Sequence, residues 1–278
     1  MKKGALALCA SIVVSVPTYA ALNDLGNGLV NDTTLNITWL KDANLVKTSC
    51  DTNSSLWQAF DPASIANNSG RTKSLICNQD GRLNWFEAEL WVGVLNAQNY
   101  LGYNDWRLPV TAPVNGTAFN YSSSVYSGAN DNGYNISAPT TVFAGSTGSE
   151  LANLYYTSLA NHAYYDATGV DQSGTYCGGP NGCLQNTDPF INMQVWWYWS
   201  GTGYDGSVSN DEKWVFDTSA GIQEYMSDGT QLFVWPVRSG LSSASAPSAA
   251  QPVPALGGFG LAALGLLLAA LARRGIRQ

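Results

Sequence analysis

The stretch Leu101–Pro109 constrains the fold most, because it combines a helix stop, a polar turn, a large aromatic residue and a cation within nine residues. Gly102 can adopt the left-handed conformation that ends a helix, so we expect a helix to end there. Pro109 disfavours helical geometry at the residue before it. We therefore predict that Trp106 and Arg107 enter an extended core segment, and that a carboxylate or several carbonyls bind the guanidinium.

The N-terminus has the order of features that is typical of a secretory signal. Lys2 and Lys3 precede an apolar run from Ala5 to Val16, and a small residue follows at Ala20. This order of charge, apolar run and small residue predicts export. We expect residues 1–20 to be removed by cleavage after Ala20.

The C-terminus predicts a second targeting signal. Residues 239–252 are rich in Ser, Ala and Pro, which is typical of a flexible linker. Val253 to Ala272 are 20 residues without a charge, enough to span a bilayer as a helix, and Arg273 and Arg274 follow at once. The Val-Pro-Ala-Leu start, the glycine-rich helix and the arginines resemble the PEP-CTERM class of sorting tails. That resemblance implies removal of residues 253–278 by a membrane protease, with a permanent anchor as the alternative.

The cysteines predict disulfides. Cys9 lies in the predicted signal, which leaves four cysteines in an oxidising compartment. Pairing by proximity gives Cys50–Cys77 and Cys177–Cys183, one of three possible connectivities. Their spacing does not match a zinc ribbon, and the chain has one histidine, so we predict no metal centre of this kind.

Residues 21–238 are long enough for one domain with a sizeable core. Aromatic residues make up 12% of the chain, including 10 tryptophans, and charged residues make up only 12%. This composition favours a loop-rich extracellular domain with an aromatic core. The net charge of −7 argues against a nucleic-acid partner, which requires a basic surface.

Local signals predict strands and two main helices. Leu35 to Leu40 alternates as a half-buried strand does, and the final third predicts strands over 195–200, 213–217 and 231–235. Asn84 and Glu87 form a capping-box pattern at the start of a first helix. A second such pattern, Thr147 with Glu150, predicts the start of a second helix. We interpret both glutamates as caps, not as catalytic acids.

Four ordered motifs resemble the Lcl C-terminal domain family. They are the 102–109 stretch, a Thr-Trp strand at 38–39, a Trp-x-x-Ala helix start at 85–88 and closing strands at 198–200, 214–216 and 236–238. Asn84 departs from the Thr that usually precedes the helix. The resemblance implies an α+β, C-type-lectin-like fold with extracellular binding or adhesion and no family-wide enzyme activity. The motif residues are Trp39, Trp85, Trp106, Arg107, Pro109, Trp199 and Arg238.

Catalytic motifs are missing from the sequence. His162 is the one histidine, and its neighbours form no recognisable nucleophile motif. A glycan hydrolase that uses two facing carboxylates is the alternative, since several acids fall in the strand and turn region. They are Asp205, Asp211, Glu212, Asp217, Glu224 and Asp228. Oxygen-rich turns at 130–133 and 210–212 would suit calcium better than zinc, although turn formation explains both without a cofactor.

The candidate ligand-binding residues are aromatic. If residues 195–200 form a strand, Trp196 and Tyr198 lie on the side opposite the core motif, where they could stack on sugar rings. The long segment 114–141 contributes Tyr121, Tyr126 and Tyr134. We therefore predict a non-catalytic protein of the cell surface or matrix that binds an extracellular glycan or another matrix component. A purely structural matrix protein is a further alternative.

Overall fold

The computed structural model describes residues 22–66, 70–122, 125–206 and 211–241. The predicted signal peptide, most of the predicted linker and the whole sorting tail lie outside these residues. The described chain is mixed α/β, with two antiparallel sheets and few helices. Its strands are β1 (Leu22–Asp24), β2 (Leu29–Asp32), β3 (Ile37–Leu40), β4 (Gly133–Tyr134), β5 (Trp197–Gly203), β6 (Glu212–Asp217), β7 (Ile222–Ser227) and β8 (Val237–Ser239). Its α-helices are α1 (Leu45–Asp51), α2 (Ser55–Ala59), α3 (Lys73–Asn78), α4 (Trp85–Ala97) and α5 (Glu150–Asn153).

The first sheet has the order β1-β2-β3-β8 and joins the two ends of the described chain. Trp39 in β3 lies opposite Val30 in β2 and Val237 in β8, and all three are fully buried. The predicted strand over residues 35–40 is confirmed from Ile37 onward. This sheet therefore fixes the closing Pro-Val-Arg segment beside the opening Thr-Trp strand.

The second sheet has the order β4-β7-β6-β5. The predicted strand at 213–217 is confirmed as β6, and β7 follows it after a tight turn. The strand predicted at 195–200 begins two residues later, at Trp197, because the preceding residues form a bend. Residues 231–235 make only isolated bridges, from Leu232 to Leu83 and from Phe233 to Tyr198, so this prediction of a strand was wrong.

Helix α4 starts as predicted but ends early. The Asn84 side chain accepts from the Glu87 amide at 2.9 Å, and the Glu87 carboxylate accepts from the Asn84 amide at 2.8 Å. The helix stops at Ala97, five residues before the predicted end, because Asn99 takes a left-handed conformation first. Gly102, with φ of +88°, ends a separate 3₁₀ turn.

The second predicted helix differs more. Its N-cap is Ser149 and not Thr147, and the α-helical part covers only Glu150–Asn153 before a π turn over Leu154–Ser158. The Ser149 hydroxyl accepts from the Ala152 amide at 3.2 Å. Since the Glu150 side chain points to Arg107 instead of the cap, the capping role predicted for this glutamate was wrong.

Both predicted disulfides are present. Cys50 in α1 is bonded to Cys77 in α3, with Cα atoms 5.9 Å apart. Cys177 is bonded to Cys183 across a tight loop, with Cα atoms 4.0 Å apart. Asp51 lies beside the first pair, but the bond occupies both sulfurs that could otherwise bind a metal.

The core is built from aromatic side chains on segments far apart in the chain. Trp235 contacts the rings of Trp39, Phe190 and Tyr198, with centroids 4.7–5.7 Å apart. These contacts join the two sheets through the segment that leads into β8. The expected C-type-lectin-like fold is not confirmed. Among the described residues, no helix has the length and apolarity needed to cross a membrane.

Candidate ligand-binding site

In the stretch Leu101–Pro109, the predicted burial of Trp106 and the predicted carboxylate partner of Arg107, which is Glu150, are both confirmed. Trp106 is buried, and its backbone exchanges hydrogen bonds with the Asn96 side chain at 2.7 and 2.9 Å. Asp105 binds Arg238 through two hydrogen bonds of 2.8 and 3.0 Å. The Arg238 guanidinium also lies 3.8 Å from the centre of the Tyr103 ring. The stretch is therefore a structural brace, which leaves the ligand-binding role to other residues.

The motif tryptophans are structural as well. Trp39 and Trp199 are fully buried, and Trp85 is half-buried with its indole N–H bonded to the Ser200 carbonyl at 3.1 Å. Pro109 accepts from the Gly201 amide at 2.8 Å, so the end of the stretch extends the edge of β5. These contacts show that the motif residues stabilise the core and the sheets.

Tyr198 was predicted on the surface, and this prediction was wrong. Its ring is fully buried against Phe233 and Trp235. The alternation rule fails here because the segment containing Phe233 covers the side of β5 that was expected to face solvent. The Tyr198 hydroxyl accepts from the Gln194 amide at 2.7 Å, so it supports the bend that precedes the strand. Burial also raises the pKa of the phenol far above its ordinary value of 10.0.

Trp196 remains a surface candidate, with 45% of its area exposed. It lies in the bend before β5, and the Thr218 hydroxyl makes hydrogen bonds to this bend. That hydroxyl accepts from the Trp196 amide at 3.1 Å and donates to the Gln194 carbonyl at 2.6 Å. The exposed indole therefore sits on a backbone that is fixed by Thr218 and Tyr198. A fixed backbone at this position reduces the entropy that is lost when Trp196 binds a ligand.

The Trp196 groove is an open cavity of about 360 Å³. Buried Phe233 and half-buried Val195 form apolar parts of its wall, while Asp80, Arg82 and Gln194 contribute polar side chains. This volume is at the lower end of the range found for small-molecule sites. Sequence reasoning missed Asp80 and Arg82, because no local pattern links the α3–α4 connection to the bend before β5.

Two of the tyrosines predicted to bind a ligand form an aromatic cluster away from the Trp196 groove. Tyr126 and Tyr134 stack with centroids 5.9 Å apart, and Tyr165 contacts both at 5.0 and 5.3 Å. Tyr126 and Tyr134 are nearly parallel, Tyr165 is inclined to both, and Tyr126 is the exposed ring of the three. Burial and the nearby Tyr165 and Glu224 raise the pKa of Tyr134 to about 12. Tyr165 was missed, since it lies outside the segment 114–141.

Tyr121 lies in a different aromatic group, above the second sheet. Its ring stacks on fully buried Trp214 at 6.1 Å and meets Tyr204 edge-on at 5.0 Å. Tyr204 in turn stacks on Tyr225, with centroids 3.8 Å apart. Half-buried Tyr121 therefore covers the sheet and exposes less ring surface than Trp196 does.

Two of the acidic residues considered for hydrolysis lie on neighbouring strands. Asp217 in β6 and Glu224 in β7 each have a raised pKa, in both cases mainly through burial. The Asp217 charge raises the pKa of Glu224 further. Asp217 is largely buried, and its carboxylate accepts from the Ser219 amide at 2.7 Å, so a turn already uses this group. The pair lies outside the Trp196 groove.

The oxygen-rich turn at 130–133 braces the loop. The Asp131 carboxylate accepts from the Val114 amide at 2.6 Å and from the Asn120 amide at 2.7 Å. Asp131 is fully buried, and this burial raises its pKa. Asn210, in the other turn considered for calcium, lies outside the described residues, while the Asp211 carbonyl accepts from the Asp228 amide. Turn formation thus accounts for the first segment, whereas in the second Asp211 and Glu212 take part in the β6–β7 pairing.

Comparison with known proteins identifies the tail of the chain. A family model described as IPTL-CTERM motif matches residues 251–278, the segment predicted to be a sorting tail similar to the PEP-CTERM class. No curated protein and no solved structure matches the chain. These comparisons therefore give no support to the resemblance to the Lcl C-terminal domain family. The chain carries a C-terminal sorting motif, which is consistent with an exported protein at the cell surface or membrane.

Proposed function

We propose that this protein is a non-catalytic binding protein of the cell surface, and that the Trp196 groove binds a neutral extracellular glycan. The observation that carries the proposal is an exposed tryptophan, on a backbone that is bonded to Thr218, beside polar side chains of both charge signs. Sugar rings have apolar C–H faces that pack on aromatic rings and hydroxyl edges that accept and donate hydrogen bonds. Trp196 would supply the flat face, and Asp80, Arg82 and Gln194 would supply the hydrogen bonds.

The sorting motif supports this proposal, because it is consistent with export, and an exported domain is in contact with extracellular polymers. We propose that a membrane protease removes the tail and leaves the domain outside the inner membrane. The net charge of −7 should repel polyanions at low salt, which favours a neutral or cationic polymer.

The test is retention of the purified protein on immobilised neutral glycans, with Trp196→Ala and Phe86→Ala compared in parallel. Phe86 is a matched control, because it exposes 47% of its area against 45% for Trp196 and lies on α4, outside the groove. We expect Trp196→Ala to lose at least tenfold in affinity, as removal of one stacking aromatic should cost about 1.5 kcal/mol or more. Phe86→Ala should bind as the parent does.

Equal loss in both variants would show that retention is non-specific, and unchanged retention by Trp196→Ala would remove the groove from consideration. The same assay addresses the alternatives. Release of sugars during incubation, abolished by Glu224→Gln, would favour a hydrolase that uses Asp217 and Glu224. Absence of retention on every glycan would leave a structural matrix component as the better proposal.

A further inference from the structure

We propose that the described chain contains a second binding site, a cavity beside His162 that takes one ring of a neutral sugar. The cavity has a volume of about 450 Å³ and lies between residues 135–140 and the segment 160–176. It is more enclosed than the Trp196 groove and shares no lining residue with it. Its shape suits a single ring or a chain end, whereas the open groove suits the middle of a polymer.

One wall of the cavity is a pair of stacked rings. The ring centroids of His162 and Tyr176 lie 3.7 Å apart, and the two rings are nearly parallel. The chain on both sides of this pair is fixed. Cys177 is bonded to Cys183, and the Tyr155 hydroxyl shares its one proton between the His162 and Cys183 carbonyls, at 2.9 and 3.0 Å. The wall is therefore held in position before any ligand arrives.

The edges of these rings are available for hydrogen bonds. Within the described part of the chain, the imidazole nitrogens of His162 and the hydroxyl of Tyr176 make no hydrogen bond to protein. Burial lowers the pKa of His162, so near neutral pH the ring offers one donor and one acceptor. Thr140 adds a hydroxyl. Donors and acceptors at the edges of two flat rings match the hydroxyl groups of a sugar ring.

Small residues line part of the cavity and leave space in it. Ala138, Ala163 and Ala167 contribute only methyl groups. Ala160 and Asn135, which also line it, both have positive φ values, of 53° and 62°. Left-handed backbone is costly for alanine, and such residues concentrate at functional sites.

The charges of the cavity favour a neutral ligand. Its one acidic side chain is Asp166, whose pKa is lowered by hydrogen bonds from Thr168 and from the Val170 amide. The residues that line it include no lysine and no arginine. A carboxylate or phosphate would therefore meet Asp166 without a compensating cation.

The inference rests on the proposed function only for the class of ligand, and its test uses different ligands. The untagged full-length protein contains a single histidine, so the His162 ring proton signals are an unambiguous NMR reporter. We would titrate free glucose, galactose, mannose and N-acetylglucosamine to millimolar concentration. The expected result is a saturable shift of the His162 signal with at least one of them.

Two variants separate binding from loss of the fold. Ala167→Leu should fill the cavity and abolish the saturable shift, while the free protein keeps the ring-current shift that Tyr176 imposes on His162. Ala97→Leu, on the exposed last turn of α4, is the control and should titrate as the parent does. Absence of a saturable shift with every sugar, or an unchanged titration of Ala167→Leu, would overturn the inference. Retention of polymers by the Trp196 groove would be unaffected in either case.

Discussion

Glu150 binds Arg107 through both carboxylate oxygens, which lie 2.7 Å from the two terminal nitrogens of the guanidinium. The same carboxylate accepts from the Val110 amide at 2.7 Å. The ion pair is partly buried, with 33% of the arginine side chain and 11% of the glutamate side chain exposed. It ties the start of α5 to the Leu101–Pro109 stretch, which in turn pairs with β8 through Arg107 and Val237.

Replacing Arg107 with alanine should therefore destabilise the protein. We expect a loss of about 2 to 3 kcal/mol in the free energy of unfolding, because Glu150 would keep a partly buried charge without its partner. Arg107→Lys should recover only part of this, since an ammonium cannot form the paired contact. Urea unfolding should be measured for both variants, for Glu150→Gln alone and for Arg107→Ala combined with Glu150→Gln. This double-mutant cycle gives the interaction free energy between Arg107 and Glu150. Additive effects in that cycle would show that the pair contributes nothing specific.

The two disulfides should differ in their contribution to stability. The Cys50–Cys77 bond closes a loop with a sequence separation of 27, and the Cys177–Cys183 bond one of 6. Because a disulfide restricts the unfolded chain, we expect the free energy of unfolding to fall by about 3.5 kcal/mol when the first pair is replaced by alanine and by about 2 kcal/mol for the second. Thermal unfolding of the two double variants tests this order. A larger loss for the short loop would mean that folded-state contacts dominate.

The support beneath Trp196 can be tested without touching the groove surface. Thr218→Val keeps the shape of the side chain but removes the hydroxyl that bonds Gln194 and Trp196. We expect weaker glycan retention with about 1 kcal/mol lost in stability, because the bend is no longer held in one conformation. Ser158→Ala, which removes another hydrogen-bonding hydroxyl away from the groove, serves as the control. Unchanged retention in Thr218→Val would mean that Trp196 needs no such support.

Stability should fall as the pH rises from mildly acidic towards neutral. Burial raises the pKa of Asp217 and Glu224 above their ordinary values of 3.8 and 4.5. The folded state therefore holds more protons than the unfolded state between each ordinary pKa and the raised one, and it loses this advantage as the pH increases. His162 has the opposite effect on stability below pH 6.5. Burial lowers its pKa, so the folded state binds fewer protons than the unfolded state there, and stability rises with pH.

Glu224→Gln isolates the carboxylate contribution, since glutamine does not titrate. Urea midpoints measured across this pH range should decline less steeply in the variant than in the parent. Parallel pH profiles in the two proteins would contradict a raised pKa for Glu224. The acids with lowered pKa, such as Asp24 and Asp166, affect stability mainly around and below pH 3.8, so they do not affect this comparison at higher pH.

Several features followed from the sequence alone because their causes are local. The capping box joins Asn84 and Glu87 within one helical turn, and the disulfide pairs follow from proximity along the chain. The sorting tail was predicted from a contiguous pattern, and the match to residues 251–278 confirms it as a sorting motif. Burial of Trp106 followed from a large aromatic side chain before a proline-fixed extended segment.

Other features depended on which segments meet in three dimensions. Glu87 and Glu150 have the same local pattern, yet only Glu87 caps its helix. The second helix has Ser149 as its N-cap, which puts Glu150 at the first helical position, and its carboxylate binds Arg107, 43 residues away in sequence and 2.7 Å away in space. Trp196 and Tyr198 differ in the same way: the segment containing Phe233 covers the tyrosine and leaves the tryptophan exposed. Local sequence fixes backbone preferences over a few residues, whereas burial and ion pairing depend on long-range contacts. Only the tertiary structure could therefore decide which aromatic residues are available to a ligand.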